Sequence, residues 1–155
     1  MHMLENLAHI LAKAQAHVDA GKGDAQALLA SRLIAGMYSL AKRVQIACDK
    51  VRNVVARLAG LEVPYYEDHE QSLAELQERI ARSIEFFRSM PAERGNGTED
   101  AEIALPVTGG EVRYRGLQLL FGHSLPSVYS HSMTACNLLR QNGVVIGKRD
   151  FFGNP

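Results

Sequence analysis

The sequence predicts an all-α fold, a four-helix bundle carrying one small β-hairpin before the last helix. Three observations lead there. Four long segments each show apolar residues at three- and four-residue spacing, the pattern of a helix with one buried stripe. A single stretch after Ala92 switches to period-two alternation. Gly and Pro punctuate the boundaries between these segments. With 155 residues the chain is expected to form one domain, residues 1–155.

In the first helix Leu4, Leu7, Leu11 and Val18 form the stripe, with Ala8 and Ala14 beside them. The stretch GKGD (Gly21 to Asp24) ends it, and Asp24 is placed to cap a short helix within Ala25 to Met37. The second long helix repeats Leu40, Val44, Ala47, Val51, Val54, Val55 and Leu58, and Gly60 closes it. Lys42, Asp49, Lys50 and Asn53 fall on its opposite side. Leu61 to His69 is a loop. Ser72 and Glu75 then make a capping box for a third helix, whose buried face is Leu73, Leu76, Ile80, Ile84 and Phe87 and whose end is Pro91.

Beyond the polar loop GNGTED, Ile103, Leu105 and Val107 alternate. After Thr108-Gly109-Gly110, Val112 and Tyr114 alternate again, as in a hairpin. The last helix begins near Leu117 and meets Pro126, which lacks an amide donor and so kinks or restarts it. Its inner stripe is Val128, Tyr129, Ser132, Ala135, Cys136 and Leu139, with Gly143 as cap and a tail over 147–155.

Composition narrows the function. Lys plus Arg equals Asp plus Glu at 17 each, so the basic surface of a nucleic-acid binder is absent. The N-terminus mixes His2, Glu5, His9 and Lys13 among its apolar residues, unlike a signal peptide or membrane span. Cys48 and Cys136 have no CxxC partner and read as buried free thiols. No membrane partner and a cytoplasmic location are the corresponding expectations. No nucleophile elbow, P-loop or dinucleotide fingerprint is present.

The histidines are the remaining candidates. His131 lies on the flank of the last helix, about 100° from its stripe. Read from the residues alone, it is a packed imidazole, a pocket-lining group or a metal ligand. His123 is two turns earlier, with about 12 Å of rise and Pro126 between them, too far for joint chelation. His2, His9 and His17 read as a solvated face. Arg140 suits a helix C-terminus, and Arg32 and Asp49 could reach a groove.

The strings ARLAG (Ala56 to Gly60), AELQERIARSIEF, the Leu125-Pro126 pair with a histidine five residues beyond the proline, and LLRQNGVVIGKRDFFG occur together here. In these the chain resembles a domain-of-unknown-function family within the DinB/YfiT-like superfamily. The resemblance implies an up-down-down-up bundle, often a homodimer. Many superfamily members hold a divalent metal through three histidines, one from the second helix and two, four apart, from the last. Some transfer a low-molecular-weight thiol to an electrophile.

His131 matches the last of these histidines. Ser127 stands four residues earlier, and Gln45 is the nearest polar residue on the second helix. By the helical wheel Gln45 is expected at an exposed or groove-edge position. Serine and glutamine are poor substitutes for imidazole on zinc or nickel. The sequence therefore points to a degenerate site with no metal and no cofactor. Gln45, Ser127 and His131 become candidates for lining an inter-helix groove that binds a small molecule. The alternative is a divergent metal-dependent thiol transferase or hydrolase, its metal held by His131 with Gln45, Cys48 or water.

Overall fold

A computed structural model describes residues 1–153; Asn154 and Pro155, the end of the expected tail, lie outside the described residues. The elements are α1 (His2–Asp19), α2 (Ala25–Ala30), α3 (Leu40–Leu58), α4 (Leu73–Ser89), a 3-10 turn (Ala92–Arg94), β1 (Glu102–Val107), β2 (Gly110–Arg115), a π-helical segment (Gln118–Ser124), α5 (Leu125–Gln141) and α6 (Lys148–Phe152). The chain is mostly helical, with one antiparallel hairpin.

Local chemistry sets the boundaries. The Asp24 side chain accepts the Ala27 amide at 2.8 Å, and Ser72 accepts the Glu75 amide at 3.1 Å. The return bond of the capping box falls one residue early, since the Glu75 carboxylate takes the Gln71 amide. In the hairpin Ile103 faces Tyr114, Leu105 faces Val112 and Val107 faces Gly110. Gly109 adopts φ of 90°, which an L side chain would resist. A side chain on Gly116 would strike the Thr98 carbonyl oxygen, so glycine is needed where β2 leaves the hairpin.

Helix α3 packs on α4 and α5, and α1 packs on α4, α5 and α6. Their stripes meet in one apolar cluster that includes Leu7, Ile10, Leu11, Val44, Ala47, Leu76, Ile80, Leu138 and Leu139. Each large side chain removed from water there contributes about 1.5–3 kcal/mol. Two stripe residues depart from expectation. Tyr129 and Phe87 are exposed, while Val128 and Ile80 of the same expected stripes are buried. Tyr129 is offset by about 100° from Val128, and this carries it to the seam where α6 folds back.

That fold-back settles the tail onto its own helices. Asn6 Nδ2 donates to the Phe151 carbonyl at 2.9 Å, and Phe151 is buried. Lys13 Nζ reaches Asp150 at 2.5 Å, with His9 Nε2 at 3.2 Å from the same oxygen. The other Asp150 oxygen accepts the Gly147 amide at 2.8 Å. The Lys13 bond first, with the Gly147 and His9 bonds, overcomes burial and pulls the Asp150 carboxyl down to about 2.

On α4 the sequence hides its most consequential residue. Arg79 is 0% exposed. Its Nη1 donates to Glu70 Oε1 at 2.8 Å and to the Glu67 carbonyl at 2.9 Å. Its Nη2 is 2.8 Å from both Asp49 and Asp68. Gln45 Nε2 completes the cluster by donating to Glu70 Oε2 at 2.9 Å. Burial alone would lower the Arg79 pKa and raise that of Glu70, but these bonds reverse both shifts. Arg52 adds a second buried guanidinium, 2.6 Å from Asp49 and stacked 3.7 Å from the centre of the Tyr66 ring. The connection between α3 and α4 is thereby fastened to both helices.

Two outcomes follow from these contacts. Arg79→Ala strands buried acceptors and is expected to destabilise the fold by about 3–5 kcal/mol in urea titration. Asp150→Asn is expected to speed amide exchange at Phe151, whose amide bonds to Gly147, while the α3 core stays protected. Because the folded Asp150 pKa is depressed, its contribution is present above the unfolded value and is lost as pH falls toward about 2.

Candidate functional site

Among the sequence candidates, His131 and Ser127 lie half-buried on α5 and Gln45 is buried in α3. The structure does not bring the three together. Gln45 is not at a groove edge, because its amide is consumed by Glu70 in the Arg79 cluster. On the helical wheel it points roughly 140° away from Lys50.

The residues of α3 that meet the histidines are instead Arg43 and Lys50. Arg43 Nη1 lies 3.3 Å from His131 Nδ1, and Lys50 Nζ lies 3.2 Å from His123 Nε2. A guanidinium and an ammonium group can only donate, so each imidazole nitrogen must accept. This fixes His131 as the neutral tautomer protonated on Nε2, and His123 as the neutral tautomer protonated on Nδ1. Burial first, then the neighbouring cation, lowers the pKa of both rings: Arg43 acts on His131, and Lys50 acts on both.

Arg43 is 7% exposed, and its Nε has no hydrogen-bond partner. Among the described residues no carboxylate lies in ion-pair range of Arg43 or Lys50, or of Arg57 one helical repeat further on. Tyr38 borders Arg43, with the guanidinium carbon 5.7 Å from the ring centre.

Next to Lys50 and His123 lies a cavity of about 360 Å³ between α3, the hairpin and the π-helical segment. Lys50, Asn53 and Arg57 form its α3 wall, and Leu105, Pro106 and Val107 face them from β1. The Arg57 Nη1 bond to the Ala104 carbonyl, 2.9 Å, ties the hairpin to α3. On the third side Tyr114 and His123 pack with ring centres 5.5 Å apart. The π-helical segment presents Leu119 and His123 into this space. Such widened turns arise where the α-helical bonding ladder is interrupted, here just ahead of Pro126.

A metal ion does not fit these residues. Among the described residues no group of three or more His, Cys, Asp or Glu converges. The nitrogens His131 Nδ1 and His123 Nε2 already face cations, whose charge would repel a divalent ion. Cys48 is buried and its thiol is pushed up to about 12, chiefly by burial, which leaves it a poor thiolate donor.

The chain matches the family described as "Domain of unknown function (DUF1993)" over residues 1–152. It belongs to the DUF1993 family. It is also similar in structure to a DinB family member protein from Shewanella denitrificans, with a TM-score of 0.90 and 36% sequence identity. That likeness covers 99% of this chain and 86% of the other. No curated protein matches. The DUF1993 chain thus shares a fold with a DinB family protein, while the α3 residues that meet its two α5-side histidines are the cations Arg43 and Lys50.

Arg43 does not stand out among metal-ligand candidates on α3, since a guanidinium has no lone pair to give a metal. The signal was present in another form: Arg43, Lys50 and Arg57 recur at seven-residue intervals, which places three cations along one side of a helix.

Both rings are expected to titrate below the ordinary histidine value near 6.5 in an NMR pH series, with Lys50→Met raising His123 and Arg43→Met raising His131. A depressed histidine pKa favours the folded state above that ordinary value. Its contribution is lost as pH falls from there through the folded pKa.

Proposed function

We propose that this DUF1993 protein is a metal-free, DinB-like binding protein whose groove between α3 and α5 receives a small molecule. The observation that carries this reading is the pairing of Arg43 with His131 and Lys50 with His123, which puts positive charge where a metal would need donors. The cavity beside Lys50 has the size of a small-ligand site. Ser127 and His131 form the α5 bank of the groove, and the cavity is its hairpin end. Gln45 contributes through Glu70 and the Arg79 cluster, by holding α3 in place.

The architecture in this reading is a single domain over 1–155, an up-down-down-up four-helix bundle. The contacts of α1 and α3 with both α4 and α5 support it. Two buried free cysteines are in keeping with a reducing, cytoplasmic setting. The protein acts as a homodimer through helix faces. Exposed Tyr129 and Met133 on α5, with Phe152 beside them, support this.

Protein-observed NMR, following backbone amides as neutral, cationic and anionic fragments are added, tests the binding role. Binders are expected to shift the amides of Lys50, Ser127 and His131. Fragments that bind only elsewhere, or none at all, would contradict it. Sedimentation should give twice the 17.0 kDa chain mass, and Met133→Glu should give monomers.

A further inference from the structure

The chemistry of the groove narrows the ligand class, on the premise that the groove binds a small molecule. We infer that the cavity takes a small organic anion, a carboxylate or similar oxyanion carried on a flat apolar body, with Lys50 and Arg57 receiving the charge.

Three independent features converge on this class. Lys50, Asn53 and Arg57 line one wall at positions i, i+3 and i+7 of α3, so their polar ends share a face. Both cations lack a carboxylate in ion-pair range among the described residues, although the hairpin and α3 partly bury them. The one acid at the cavity, Asp49, is committed to Arg52 at 2.6 Å and Arg79 at 2.8 Å. A half-buried pair of uncompensated cations is costly unless an anion joins it.

The second feature is polar capacity left open. Arg57 spends Nη1 on the Ala104 carbonyl, and its buried Nε has no partner. Lys50 spends one of its three protons on His123, which leaves two for an oxyanion. Charge-assisted bonds to such an anion are stronger than neutral ones.

The third feature is the opposite wall. Leu105, Pro106 and Val107 provide apolar surface without a charged group, and the Tyr114–His123 ring pair closes one end. A fully hydrated inorganic ion gains nothing from that wall, whereas an aromatic or branched acid buries its body on it. The cavity volume, about 360 Å³, accommodates a two-ring acid.

The test compares 2-naphthoate, its neutral isostere 2-naphthamide and inorganic phosphate by isothermal titration calorimetry on the full chain. Naphthoate is expected to bind at least about tenfold more tightly than naphthamide, the effect of a charge-assisted bond. Phosphate alone is expected to give no measurable heat. Lys50→Met should abolish the preference for the acid over the amide, and Lys50→Arg should retain it. Equal affinity for acid and amide, or phosphate binding as tightly as naphthoate, overturns the inference. If neutral fragments occupy the groove but naphthoate does not, the anion class alone fails. If no fragment of any charge binds there, the small-molecule reading itself falls.

Discussion

The fold depends on neutralising one buried charge. Arg79 sits without solvent exposure on α4 and reaches Asp49 on α3 together with Asp68 and Glu70 from the α3–α4 connection. An unpaired guanidinium in that position would be prohibitive, so these partners must come together whenever α4 packs. The consequence extends beyond α4. Once Asp49 is turned toward Arg79, the rotation of α3 about its axis is set, and Lys50 is carried about 100° round toward α5 and the hairpin. Arg43 and Arg57 follow, a heptad on either side. The row of cations on this side of α3 is thus a geometric consequence of the ion cluster behind it.

This arrangement also accounts for the histidines. An imidazole flanking a bundle helix can bind a metal only if its free nitrogen meets other donors and no competing cation. Here His131 meets Arg43 and His123 meets Lys50, so both rings accept hydrogen bonds as neutral tautomers. A backbone similar to that of a DinB family protein here sets cations, not further metal donors, against its histidines. Fold similarity carries the framework, and the side chains on α3 decide the chemistry within it.

Much of the framework was legible in the residue pattern. The stripes of α1, α3 and α4, the Asp24 and Ser72 caps and the presence of the hairpin all follow from local periodicity and turn chemistry, which act over a few residues. Arg79 was not legible. An arginine between Leu76 and Ile80 looks like a solvated residue until distant Asp49, Asp68 and Glu70 are brought to it. Gln45 was misplaced for the same reason, since its burial requires Glu70, 25 positions away. Tyr129 falls outside the buried stripe because it lies about 100° from Val128, on the side where α6 folds back onto α1. At the site, His131 reads as a flank residue in the sequence, and in the structure it meets Arg43 of α3. Its partner was missed because the cation facing it is a tertiary fact.

The most direct test of the account is elemental mass spectrometry of the untagged protein after incubation with zinc, nickel or manganese. The cation-lined groove predicts no stoichiometric ion under any of these conditions. A stoichiometric ion that disappears in His131→Ala would contradict it, by showing that Arg43 yields its place and that His131 completes a metal site with donors of other kinds.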